Sequence, residues 1–281
     1  MSVTPVPLPT VRTISPMRPL VWLVYAWRDM ARVGWVSFAH GLALAVFGAA
    51  IVAIAHQRFW LLAGALSGFM VIAPVLATSL YALSRALERG EKADVGVVLK
   101  TWLNWQNSHV NKWGNDYWAM VQFGALLALA ATGWVLTSAA LITLLAPAPI
   151  LGPLDFVHHV VLARDGWLFE LWLAMGGVMA APLFASSVVS MPLLLDRRVT
   201  LMQAVLTSWQ TVLANPVPMG LWAALIMVFT LLGLGSLLLG LIAVIPMLGH
   251  ASWHAYRDLV DASSLPPREP LANPTNGQGK R

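Results

Sequence analysis

Apolar residues run through this chain in blocks of about twenty, the length a bilayer core requires. The first block runs from Trp35 to Gln57 and the second from Phe59 to Leu83. The third runs from Tyr117 to Leu145 and the fourth from Trp167 to Leu195. From Val199 to Tyr256 there is no Lys, Arg, Asp or Glu. That run holds a fifth and a sixth block, folded back near Gly233, Leu234, Gly235 and Ser236. A shorter stretch of different pattern precedes each pair. In the stretches from Leu20 to Ala31, Val95 to Trp105 and Met202 to Leu213, apolar residues stand three and four apart with polar ones between them. This spacing predicts amphipathic helices. They are too short to span and are expected to lie in the interface.

The three amphipathic stretches superpose without gaps when Trp27, Trp102 and Trp209 are aligned. Apolar residues then recur seven, four and three places before the Trp and three after it. The second member of each pair also matches. Gly68, Gly176 and Gly240 each stand six residues before Pro74, Pro182 and Pro246. Thr78, Ser186 and His250 each follow a proline by four. Glu88 and Asp196 follow the first two prolines by fourteen. Such matches in fixed order predict an internal repeat. The fold expected is all-α: six transmembrane helices in three hairpins, a parallel threefold repeat with three interfacial helices on the cytoplasmic side. The repeats fall at about 20–90, 91–198 and 199–261. Residues 1–19 and 262–281 are rich in proline and polar residues and are expected to be disordered.

Composition supports the membrane reading. The chain is 58% hydrophobic and only 10% charged, against about 25% charged in an ordinary soluble domain. Its net charge of +5 reports topology. Of the 17 Lys and Arg, only Arg58 and Arg164 fall in loops on the face opposite the termini. The positive-inside rule then predicts that both termini are cytoplasmic. The bilayer is the expected partner, with a membrane-protein partner or a homo-oligomer beside it. The basic residues do not cluster as a nucleic-acid footprint would. With no cysteine in the chain, thiolate metal ligation and disulfides are excluded.

Candidate chemistry concentrates in the last helix. His250 and His254 lie i, i+4 on one face, with Arg257 and Asp258 beyond them. Pro74, Pro182 and Pro246 each remove a backbone donor and are expected to kink their helices. Pro246 frees the Ile242 carbonyl, for which His250 is a candidate donor. Three kinked helices would frame a polar cavity lined by Thr78, Ser186, Ser190, His250 and His254. Trp27, Trp102 and Trp209 are expected to anchor at headgroup level. His40, His250 and His254 are weak candidates for a metal or haem. Two histidines on a helix do not close a zinc site, so no metal or other cofactor is expected. Gly64 with Gly68 forms GxxxG, a close-packing motif. No GxSxG, P-loop or GxGxxG is present, and a non-enzymatic protein is expected. The first functional reading is a small permease or channel-like protein. The second is a structural or assembly partner of another membrane protein, and the third is a histidine-bound metal or haem.

Four stretches carry a family resemblance: YALSRALERGE (Tyr81–Glu91), SVVSMPLLLDRRV (Ser187–Val199), TSWQTVLANPVPM (Thr207–Met219) and PMLGHASWHAYRDLV (Pro246–Val260). Together they resemble a bacterial multi-pass family known as domain of unknown function 2189, across roughly Trp22 to Val260. The resemblance implies an integral membrane protein with no assigned activity.

Overall fold

The computed structural model describes residues 8–55, 73–106, 118–163 and 166–268. The second apolar block lies largely outside these residues, as do Arg58, Gly64, Gly68 and Arg164. The described chain is mostly helical. Its order is β1 (Thr10–Val11), α1 (Arg18–Val33), α2 (Trp35–Ala55), α3 (Ala73–Leu76), α4 (Thr78–Glu88) and α5 (Val95–Gln106). Next come α6 (Trp118–Leu145), α7 (Pro153–Phe156), α8 (Leu168–Ser187) and α9 (Ser190–Asp196). The chain continues through α10 (Leu201–Ala214), α11 (Pro216–Gly235), α12 (Leu241–Leu259) and β2 (Val260–Asp261).

Four of the six expected spans are long and apolar enough to cross a bilayer: Trp35–Ile54, Trp118–Leu145, Leu168–Asp196 and Pro216–Gly235. The expected sixth, α12, has 19 residues but does not meet that standard, because polar and charged residues fill its second half. The turn before it also differs from expectation. α11 runs unbroken to Gly235, and the chain reverses over residues 236–240, where Leu237 and Leu238 take positive φ.

α12 is the hub of the bundle and packs against α1, α2, α4 and α11. Its first half lies along α2 and its second half along α1, the two being joined at Gly34. Glycine suits that junction because φ is +69° there. Two other glycines let α12 approach its neighbours. A Cβ on Gly41 of α2 would collide with the backbone of Ile242, and one on Gly249 would press into Leu80 of α4. On the far side, Gly176 of α8 lies under the ring of Trp134 in α6.

Pro182 and Pro246 lie inside continuous helices, α8 and α12. The helix interruptions fall at Ala77, three residues after Pro74, and at 188–189, six after Pro182. No interruption follows Pro246. The carbonyl that Pro246 frees, that of Ile242, faces the bare backbone of Gly41. His250 does not serve it.

Both ends of the described chain are ordered where the sequence predicts disorder. Thr10–Val11 pairs antiparallel with Val260–Asp261. The Ile14 amide donates to Asn215 Oδ1 at 2.9 Å, and Asn215 Nδ2 donates to the Arg12 carbonyl at 3.0 Å. Residues 262–268 fold back on the end of α9, where the Arg268 amide donates to the Asp196 carbonyl at 2.8 Å. Polar composition favours disorder only where nothing pairs with the backbone, and here the two ends pair with the bundle and with each other. They therefore sit at one end of the molecule.

Candidate functional site

The polar groups of α12 meet four other elements at this end. α1 is wound so that Trp22, Ala26, Asp29, Met30 and Val33 face inward. Leu20, Val24 and Trp27 face outward. The sequence pattern marks that outer stripe as the apolar face of an interfacial helix. It does not show that a second face is buried too. Asp29, flanked in sequence by Arg28 and Met30, is only 6% exposed.

Asp29 Oδ2 is the meeting point of two hydrogen bonds. Ser84 Oγ of α4 donates to it at 2.7 Å, and His254 Nε2 of α12 lies 2.9 Å away. Ser84 Oγ is also 2.7 Å from His250 Nδ1, and His250 Nε2 is 2.9 Å from Ser37 Oγ of α2. Ser84 has one proton and gives it to the carboxylate. Nδ1 of His250 therefore carries the ring proton and donates to Ser84. In neutral His250, Nε2 then accepts from Ser37. Burial raises the pKa of the Asp29 carboxyl, and the bonds from His254 and Ser84 outweigh it, so Asp29 is held below the ordinary carboxylate value. A second histidine contact lies beside this chain. His40 Nδ1 donates to the Val36 carbonyl at 2.7 Å, so in the neutral ring Nε2 accepts from Ser79 Oγ at 2.8 Å.

The remaining polar residues of α12 hold its end in place. Glu88 accepts from Trp253 Nε1 at 3.0 Å and pairs with Arg257 at 2.7 Å. Asp196 accepts from Tyr256 Oη at 2.9 Å. Asp258 accepts from Trp22 Nε1 at 2.7 Å and from Arg18 Nε at 2.6 Å. The two acids that match in the sequence repeat, Glu88 and Asp196, thus both grip the final helix.

The residues expected to share a polar cavity are not brought together. His250 and His254 share the Asp29 network. Thr78 Oγ1 turns back to the Val75 carbonyl at 2.6 Å. Ser190 bonds the Ser186 carbonyl and the Ala204 carbonyl. Ser186 Oγ accepts from Trp209 Nε1 at 2.9 Å. A cavity is present elsewhere, on the neighbouring face of α12. It measures about 330 Å³. Its described walls are chiefly hydrocarbon from Leu44, Leu127, Leu183, Phe184, Ile226 and Leu248, with hydroxyls of Tyr81, Ser187, Thr230 and Ser252. None of the five expected residues lines it. His40, His250 and His254 are each held by a hydroxyl or carboxylate. Among the described residues no three His, Asp or Glu groups are placed to hold a metal ion.

Sequence reading missed Asp29, Ser37, Ser79 and Ser84. A faint signal exists: Ser37 and His40 stand one turn apart in the first apolar block, where polar side chains need partners.

Long apolar helices with outward-facing leucines, closed at one end by a polar cluster, define an integral membrane protein of several spans. Residues 61–196 match the family model described as "Predicted integral membrane protein (DUF2189)". This match is narrower than the sequence resemblance. It includes Tyr81–Glu91 and stops before Thr207–Met219 and Pro246–Val260. No curated protein and no solved structure matches the chain.

Proposed function

We propose that this is a non-enzymatic, permease-like protein of the bacterial inner membrane that takes an apolar or amphipathic guest into its bundle. The cavity carries this reading. Its described walls hold no charged residue, so an ion or sugar entering it would lose hydration without replacement. A hydrocarbon guest loses none, and the few hydroxyls suffice to orient a polar head. The non-enzymatic part rests on burial. Ser37 and His250 stand at the distance of a nucleophile and its base, yet both are 0% exposed, which leaves a substrate no approach.

The test is native mass spectrometry of the protein released directly from its membrane. Wild type is expected to carry an apolar small molecule that Ala180→Trp, at the cavity wall, excludes while remaining folded. If wild type carries none, the guest reading falls. A stoichiometric protein subunit in its place would favour the assembly-partner reading.

The proposed topology is six spans with three interfacial helices and both termini cytoplasmic. Several observations support it. The pairing of Thr10–Val11 with Val260–Asp261 supports an even number of crossings between them. The aligned residues Leu20, Val24 and Trp27, then Val95, Leu99 and Trp102, then Met202, Leu206 and Trp209, are all exposed. These triplets give each of α1, α5 and α10 an apolar outer stripe suited to headgroup level. A reporter fused after Arg281 should be active only in its cytoplasmic form. Activity on the other side of the membrane would overturn the topology.

A further inference from the structure

The second face of α12 holds a group that the guest reading does not use. We propose that Asp29 is a proton-binding site reached by two hydrogen-bonded lines, one from solvent through His254 and one from the membrane interior through Ser37, His250 and Ser84. The proposal stands on the direction of the hydrogen bonds. Ser37 donates to His250, His250 to Ser84, and Ser84 to Asp29 Oδ2. His254 Nε2 donates to the same oxygen. Every hydrogen in both lines points at one carboxylate.

Each line moves one proton from protonated water; on the interior line the hydrogens end reversed, with His250 protonated at Nε2, and they must turn back before the next transfer. On the interior line, hydronium gives a proton to the Ser37 oxygen and becomes water, and Ser37 passes its own to His250 Nε2. His250 releases the Nδ1 proton to Ser84, and Ser84 releases its hydroxyl proton to Asp29. The carboxylate becomes a carboxylic acid, and every hydroxyl and the ring regain their original proton count. On the outer line, hydronium protonates His254 Nδ1 and Nε2 gives its proton to Asp29. Emptying runs either line in reverse. The ring of His254 reaches solvent and exchanges its two tautomers there. Exposure follows the same order. Ser37 and His250 are 0% exposed and Ser84 1%, whereas the His254 side chain is 24% exposed.

The other charged groups around the site are accounted for. On α1, Tyr25 packs against the His254 ring at 5.2 Å. On α2, His40 is turned to Val36 and Ser79. On α4, Arg85 donates to the Leu195 carbonyl at 2.7 Å, and Glu88 holds Arg257 of α12. Asp29 is therefore the carboxylate on which both lines end. An ionisable group buried among membrane helices is costly to keep there, and proton relays are a known use for one. The interior line ends at Ser37, one turn from His40, and His40 is one turn from Leu44 in the cavity wall. For the interior line to work, water must reach Ser37 from that side.

The experiment is proton flux into vesicles of neutral phospholipid holding the full-length protein, with a trapped pH dye and an imposed potential. Wild type should acidify the lumen faster than protein-free vesicles. Ser84→Ala breaks the interior line at one atom and should reduce the rate to the protein-free level. Ser84→Thr keeps the hydroxyl and should restore it. Ser37→Ala leaves the Asp29 contacts intact and serves as the second interruption. Wild-type flux equal to protein-free vesicles overturns the proposal. So does undiminished flux in either alanine variant that elutes as folded protein. The guest assay reads a different face of α12, so the two proposals fail separately.

Discussion

Asp29→Leu is expected to destabilise the protein by about 3–5 kcal/mol, because it removes two hydrogen bonds to a buried carboxylate, each worth about 1.5–3 kcal/mol. Leucine matches the carboxylate in size and not in chemistry. Ser84 and His254 lose their shared acceptor in the same step. Detergent-solubilised variant should show a large fall in its thermal transition or no folded peak on gel filtration. Asp29→Asn keeps one acceptor oxygen and should cost less, about 1–3 kcal/mol. The pH dependence has a defined sign. The carboxyl is held below its ordinary value of 3.8. Its contribution is complete above that value and is lost as pH falls through the lower, folded-state pKa. Asp29→Asn should therefore be much less stable than wild type at neutral pH, with the gap closing in strong acid. Unchanged transitions for Asp29→Leu would show that the pair contributes nothing to stability.

Gly41→Val should have the second largest effect. The Cβ of any residue here would overlap the Ile242 backbone, and a helix backbone cannot swing aside as a side chain can. Overpacking a core contact costs about 1–3 kcal/mol, occasionally more. Valine also sits where α12 passes Pro246, so pushing the helices apart would open the Ile242 carbonyl to hydrocarbon with no donor. A variant that melts with wild type would mean that α2 and α12 do not approach this closely. Gly133→Val is the control, since nothing lies near a Cβ at that position.

The outer surface of the protein was legible in its sequence, and much of the inner one was not. Outward-facing apolar residues follow local rules. Trp27, Trp102 and Trp209 announce themselves by spacing, and long apolar runs announce spans. The inner polar contacts depend on partners far away in the chain. Asp29 is an ordinary charge on an amphipathic helix until α12 supplies His254 from the other end of the sequence. Ser84 looks like one polar residue near a charged helix end. Its role comes from standing between a carboxylate and an imidazole contributed by two other helices. Proline and polar residues near Thr10 and Leu265 read as disorder because their backbone partners, Asp261 and the end of α9, are equally remote. The expected cavity failed for a related reason. Matching positions after Pro74, Pro182 and Pro246 carry polar side chains, but two of them, Thr78 and Ser186, bond within or beside their own hairpin.

The dependence of α1, α2 and α4 on α12 also orders the protein's manufacture. The ribosome makes the final helix last, so Asp29, Ser37, Ser84 and Glu88 must wait in the membrane without their partners until Leu241–Leu259 is released. The strand Thr10–Val11, made first, receives its strand partner Val260–Asp261 last. A message cut short before codon 241 yields a chain whose Asp29 lacks His254 and whose Thr10–Val11 lacks its strand partner. Such a product differs from the finished protein at its most polar points, and a membrane protease that senses exposed polar groups would remove it without needing to inspect anything else.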